Sequence, residues 1–490
     1  MRGQRMTRIV RVAVVACAAL ALLGLAPTAS ARGIQTGFLD PGAIARGGGF
    51  TIQPDVAMGA TAGAGGRIVR LYLNWRRVVP GQATEPANPT LPSTYDWNAG
   101  DLDESVTAAV KKGLKVMLTI RSAPDYAQRG TPDSRGTHDP SPAMLARFTQ
   151  AATAHFNDKV HLWGVWNEPN LRSFLSPQRR NGKLVSPGLY RALLKAAAPV
   201  IYNSDPRNKI VAGETAPFGN ADTSPLAFLR KLLCMKGRSS PTPTSCNPKL
   251  RADYWAVHPY TSGNVWHHAF HPDDVSFGDL PQWKKLIARA VKAGHLRAKG
   301  GGKNVGYWIT EFSWDTKPPD PKAVPTTLHA RWTSEALYRA WRLGFQTLLW
   351  GQLRDYPIGS DPTYGQYQSG LYYYNGGGVT NLSHPKPSLN AFRFPFVAYA
   401  RHGHITVWGR TRDSTGGTVR IERKTSSGWH LVTKASANSQ GIFAKRFASS
   451  RTSGYLRAKD GTKASVKFSL KRPRDRFVNP FGCGGRTPCS

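Results

Sequence analysis

The sequence predicts an α/β protein, a (β/α)8 TIM barrel followed by a small all-β sandwich. Three observations lead there. Between about residues 34 and 395, short apolar runs alternate with segments of helical period. The runs are apolar almost throughout, as strands of a parallel sheet buried on both faces must be. After Pro395 the texture changes to short strands separated by Gly, Ser, Asn and Asp, the pattern of an antiparallel sandwich. The chain has 490 residues, with 40% hydrophobic residues and 14 Trp. That supports a large core and excludes a disordered chain.

The elements follow in order. Arg2, Arg5, Arg8 and Arg11 precede an apolar stretch, Val12 to Ala26, and small residues at Ala29 and Ala31. This is the layout of a secretory signal peptide over residues 1–31. It predicts a protein that is secreted or held at the cell envelope. No later apolar run is long enough to span a membrane. A barrel over 32–395 takes its strands from Ile34–Leu39, Arg67–Asn74, Leu114–Arg121, Val160–Asn167, Lys209–Gly213, Ala252–His258, Val305–Thr310 and Phe345–Gly351. Helices fit between them. Three open with Ser-Pro, at Ser141-Pro142, Ser186-Pro187 and Ser224-Pro225. There Ser is expected to accept from the first-turn N–H groups, and Pro loses no bond. Two more run from about Pro281 to Gly294 and from Leu328 to Leu343, before Gly344. An open doubly wound sheet would call for a Gly-x-Gly-x-x-Gly turn after an early strand, and none is present.

Residues 401–470 form the predicted sandwich, and 471–490 a basic tail. Trp408 and Trp429 are either ligand platforms or core of that small domain. Four cysteines follow the signal segment: Cys234, Cys246, Cys483 and Cys489. Three pairings are possible. The local one, Cys234–Cys246 and Cys483–Cys489, closes two short loops. Neither spacing matches a zinc site, and no metal or cofactor is expected.

The chemistry lies in two places. In Trp166-Asn167-Glu168-Pro169-Asn170 an apolar strand ends abruptly in a carboxylate. Pro169 cannot extend the ladder, so Glu168 falls at the rim where barrels meet substrate. In Tyr307-Trp308-Ile309-Thr310-Glu311-Phe312 the same pattern recurs. Carboxylates at the ends of strands four and seven face one another across the mouth. Glycoside hydrolysis needs such a pair, one to protonate the leaving oxygen and one to attack the anomeric carbon.

These two motifs resemble the acid/base and nucleophile motifs of clan A glycoside hydrolases, with families five and thirty-nine the nearest in shape. The resemblance covers roughly residues 34–390. It implies a retaining enzyme acting through a covalent glycosyl-enzyme, with Glu168 as acid/base and Glu311 as nucleophile. It implies that Asn167 bonds the sugar 2-hydroxyl, and that Arg70, near the end of strand two, keeps the nucleophile ionised. His258 and Tyr260 match a His-x-Tyr motif, Tyr260 donating to Glu311. Trp350 is placed as an aromatic platform under the sugar. Trp75, Trp266 and Trp314 lie beside rim loops and are candidates to extend the cleft.

Lys and Arg number 66 against 29 Asp and Glu, a net charge of +37. Removing residues 1–31 takes four Arg and leaves 62 against 29, or +33. The expected substrate is a β-linked glycoside or polysaccharide, with acidic or envelope glycans favoured by that charge. The alternative is a weakly catalytic barrel that binds anionic envelope glycans. Nucleic acid is not expected, because no aromatic-interleaved basic motif accompanies the tail.

Overall fold

The computed structural model describes residues 32–39, 52–219, 223–318, 320–321, 323–356, 368–374, 382–476 and 478. The expected signal segment and Cys483–Cys489 lie outside these residues. Eight parallel strands close a barrel in sequence order. They are β1 (Gln35–Leu39), β2 (Ile68–Asn74), β3 (Lys115–Arg121), β4 (Val160–Val165), β5 (Lys209–Thr215), β6 (Tyr254–Val257), β7 (Gly306–Ile309) and β8 (Thr347–Trp350). One main helix follows each strand: α1 (Pro54–Gly63), α2 (Leu102–Lys111), α3 (Pro142–His155), α4 (Ser186–Ser204), α5 (Pro225–Leu232), α6 (Leu280–Ala293), α7 (Thr326–Leu343) and α8 (Pro387–Arg393).

The three Ser-Pro starts behave differently. Ser141 caps α3, accepting from Met144 N at 3.4 Å. Ser186 lies inside α4 and donates to Gln178 Oε1 at 2.7 Å. Ser224 precedes α5 but makes no cap bond, its hydroxyl meeting His271 Nδ1 at 3.3 Å. In both exceptions a tertiary partner takes the hydroxyl that a local cap would have used. Gly294 and Gly344 close α6 and α7 in the left-handed conformation, as expected.

The barrel interior is layered with the strand period of two. Ile68, Met117, Val211, Ala256, Trp308 and Leu349 form a separate apolar cluster, with Leu162 and Tyr254 against it. Two residues further along each of six strands stand Arg70, Thr119, Gly164, Gly213, His258 and Thr310. The inward layer therefore switches from oil to polar groups within one repeat. Gly164 makes room for that switch. A Cβ there would lie 2.3 Å from Thr119 Oγ1, the atom that accepts from Arg70 Nε.

The second domain begins earlier than expected, because Phe396–Arg401 already forms a strand, β9. It continues through β10 (His404–Arg410), β11 (Gly417–Thr425), β12 (Gly428–Ala437), β13 (Ile442–Ala448), β14 (Tyr455–Asp460), β15 (Lys463–Ala464) and β16 (Phe468–Ser469). Two halves, β9–β10–β13 and β12–β11–β14–β15, are joined by one register pair, Ala437↔Phe443. They face each other through Phe396, Tyr399 and Phe468. Trp408 is buried against Tyr338 and Trp341 of α7, so it seals the barrel–sheet interface and is no ligand platform. The tail returns to the barrel, where Asp475 accepts from Asn264 N at 3.0 Å and Val478 N donates to Ser262 O at 2.8 Å. Among the described residues no helix is long and apolar enough to cross a membrane.

Candidate active site

The β4 wall is built from strained backbone. The strand stops at Val165, and Trp166 and Glu168 take φ of +66° and +40°. Such conformations cost roughly 1–3 kcal/mol each in a non-glycine residue and persist where surroundings over-determine them. Here the surroundings do so. Trp166 Nε1 donates to Phe174 O at 2.6 Å, and Glu168 N donates to Glu214 O at 3.0 Å. Asn170 ties the same loop to the one after β5, donating to Phe218 O and Thr223 O at 3.1 Å and accepting from Ala216 N at 2.9 Å.

The β7 wall is built from charge. Glu311, two residues beyond β7, is buried to 8% exposure. Its Oε1 accepts from Arg70 Nη1 at 2.6 Å and from Tyr72 OH at 2.7 Å. Its Oε2 accepts from Tyr260 OH at 3.3 Å. Arg70 is wholly buried and lies third in β2 rather than near its end. That depth suits a structural cation: Nη2 donates to Asn167 Oδ1 at 2.8 Å, and Nε donates to Thr119 Oγ1 at 3.0 Å. His258 bridges the walls. Its Nδ1 lies 2.9 Å from Glu168 Oε1 and 3.6 Å from Glu311 Oε1, and its Nε2 lies 3.0 Å from Thr310 Oγ1. Glu168, Glu311, Asn167, Arg70, His258 and Tyr260 thus meet in one cluster.

The two carboxyls are pushed in opposite directions. Burial raises Glu168, with the Glu311 charge adding to it, and the hydrogen bond from His258 only partly offsets this. Burial acts the same way on Glu311 but is outweighed there, because His258, the Arg70 guanidinium and Tyr72 hold it below the ordinary carboxylate value. The two values are driven apart, the pattern of an acid and an anion sharing one site.

Sequence reading missed Glu214. This carboxyl is fully buried at 0% exposure, with φ of +43°. Its Oε1 lies 3.0 Å from Arg70 Nε, and burial raises its pKa against the pull of Arg70. The signal was present, since the apolar run Lys209–Gly213 also ends in a Glu. Tyr72, Thr119 and Thr310 were also missed. Tyr72 and Thr119 are residues of strands and Thr310 follows β7 directly, and only the barrel's closure shows which way they face.

Trp350 is corrected. It ends β8, but its ring is completely buried among Phe312, Trp314, His329 and Phe392, and its indole donates to Ser369 O at 2.8 Å. It is core and presents no face to a sugar. Trp75 and Trp314 are likewise buried, at 1% and 0% exposure. Trp266 packs on Tyr399 of the second domain. The three histidines after it are dispersed, His267 to Asp475, His268 to Asp279 and His271 to Ser224. Cys234 and Cys246 form a disulfide.

Among the described residues, Glu168, His258 and Glu311 are the ones that could hold a metal, with ligand atoms within 4.8 Å of one another. Arg70 already supplies a buried positive charge to Glu311, so a further cation there would meet repulsion.

No family model matches the chain, and no curated protein matches it. Solved structures do. A family 39 glycoside hydrolase from the gut symbiont Bacteroides cellulosilyticus WH2 superposes with a TM-score of 0.50 at 15% identity, covering 85% of this chain and 79% of that one. The chain has that glycoside hydrolase's fold. A GH30 endoxylanase from Clostridium papyrosolvens C71 matches at 12% identity and a TM-score of 0.43, over 85% of this chain and 94% of that one. The beta-glycosidase of the hyperthermophile Thermosphaera aggregans matches at 14% and 0.46, over 69% and 83%.

Proposed function

We propose that the chain is a retaining O-glycosyl hydrolase acting on β-linked glycosides. One observation carries this reading. Oxygens of Glu168 and Glu311 lie within 4.8 Å of each other, while burial raises the pKa of the first and His258 and Arg70 lower that of the second. That closeness favours a retaining pair, whose carboxyls sit about 5–5.5 Å apart, over an inverting pair at about 6.5–9.5 Å. Glu311 attacks the anomeric carbon as Glu168 gives its proton to the leaving oxygen. Glu168, now ionised, then takes a proton from the water that releases the sugar. Asn167 accepts from Arg70 through Oδ1, which reserves its amide N–H groups for a sugar hydroxyl. A barrel that merely bound glycans would have no use for two buried carboxyls set in opposite states. The N-terminal pattern of residues 1–31 and the Cys234–Cys246 bond support action outside the cytoplasm.

A panel of aryl β-glycosides and polysaccharides, read by reducing-sugar release, tests the reading. The expected outcome is hydrolysis by the parent and none by Glu168→Gln or Glu311→Gln on unactivated substrates. Full activity in both variants would overturn it.

A further inference from the structure

The outer face of the second domain carries an arrangement that the barrel does not explain. Residues opposite one another in antiparallel register share a face, as do residues two apart on one strand. Arg420 of β11 stands opposite Lys434 of β12 and, on its other side, opposite Lys459 of β14. This makes a rung of three cations across adjacent strands, roughly 10 Å from end to end at the usual strand spacing. Like charges directly opposite one another destabilise a sheet. The one acid on this face, Glu422, is buried and is engaged by Arg420 and Arg457, with Nε–Oε distances of 3.2 and 2.9 Å. Glu422 also feels the Lys459 charge, so a single acid faces Arg420, Arg457, Lys434 and Lys459.

The neighbouring rungs on the same face mix aromatic and apolar side chains with charged ones. Trp429 pairs with Lys424, and Leu431 with Glu422. The Arg457 guanidinium lies 4.3 Å from the Trp429 ring centre, and Lys467 Nζ lies 5.0 Å from that of Tyr455. Leu431 and Tyr455 are each 42% exposed. The reverse face is ordinary core, with Val419, Ile421, Leu456 and Ala458 at 0% exposure. Residues 401–470 hold fourteen Lys and Arg against three Asp and Glu.

We propose that this face binds an acidic polysaccharide. The Arg420–Lys434–Lys459 rung takes the carboxylates or sulfates, which relieves its own repulsion, and the Trp429 and Tyr455 rings pack against the flat C–H faces of the sugars. Charge complementarity selects a polyanion, and the half-buried Trp429 and exposed Tyr455 rings near the cations select a glycan over a simple charged surface. The proposal is independent of hydrolysis in the barrel, because equilibrium binding to a polymer needs no turnover.

The test is titration of the full chain with polygalacturonate and with its methyl-esterified, neutral form across a salt series. The parent should bind the acidic polymer, more weakly as salt rises, and leave the neutral one unbound. Lys434→Thr with Lys459→Thr should weaken binding by about fivefold or more, and Trp429→Ala should weaken it as well. A control with the same charge change elsewhere, Lys183→Thr with Lys236→Thr at two exposed positions, should bind within about twofold of the parent. Near-ultraviolet circular dichroism checks that each variant is folded. The proposal is overturned if the parent does not bind, or if the control pair loses as much as the rung pair. It is also overturned if duplex DNA or anionic vesicles bind as tightly with the same dependence on Trp429.

Discussion

The two walls of the barrel mouth hold the same side chain in opposite states. At the β4 wall Glu168 is positioned by strained backbone, touches one ring nitrogen of His258, and has its pKa raised by burial. At the β7 wall Glu311 sits two residues past the strand on backbone without a positive φ, and His258, Arg70 and Tyr72 hold its carboxyl below the ordinary value. The difference teaches that burial alone does not assign a role. Both carboxyls are desolvated, and what separates them is the set of partners around Glu311: His258, the Arg70 guanidinium and the Tyr72 hydroxyl.

Removing the anion should have the largest effect. Glu311→Ala is expected to lower kcat by about 10⁴-fold or more, as for other covalent nucleophiles. Added azide should restore turnover and release an α-glycosyl azide, identified by NMR. Removing the acid should cost less and depend on the substrate. Glu168→Ala should lose about 10²–10⁴-fold on poor leaving groups and little on activated aryl glycosides. It should also abolish the alkaline limb of the pH–rate profile, which the parent shows because raised Glu168 must stay protonated.

The acidic limb belongs to the other wall. It appears where Glu311, depressed by its partners, finally takes a proton. Arg70→Met should move that limb to higher pH, because the cation that favours the carboxylate is gone. The same change leaves Glu214 and Glu311 without their buried partner, so destabilisation of about 3–5 kcal/mol is expected by denaturant titration. The smallest effect is expected at Glu214→Gln. The neutral amide still fills the space beside Arg70 Nε but removes a negative charge. A fall in kcat of about tenfold with KM nearly unchanged would mark Glu214 as a positioning residue. An unchanged profile would mean that Thr119 and Asn167 orient Arg70 without help.

The walls also differ in how far the sequence disclosed them. Glu168 and Glu311 were readable because each interrupts an apolar run at a place where a strand must end. The fold was readable for the same reason, since eight such runs alternated with helices. Arg70 could be named but not placed, because its depth in β2 depends on where the barrel's floor lies. Tyr72 went unread, since inward and outward residues of a strand buried on both faces look alike in sequence, whereas Glu214 carried the same strand-end signal as Glu168 and was passed over. Trp350 was misassigned because its position at a strand end says nothing about what the β8–α8 loop lays over it. Ser369 of that loop covers its indole nitrogen.

The most direct measurement is peptide mapping by mass spectrometry after exposure to 2-deoxy-2-fluoro β-glycosides with activated leaving groups. Such sugars stall the second displacement and leave the first one visible. The account predicts a single glycosyl ester, on Glu311. An ester on Glu168, or turnover of the parent substrates with an inverted anomer and no ester anywhere, would contradict it.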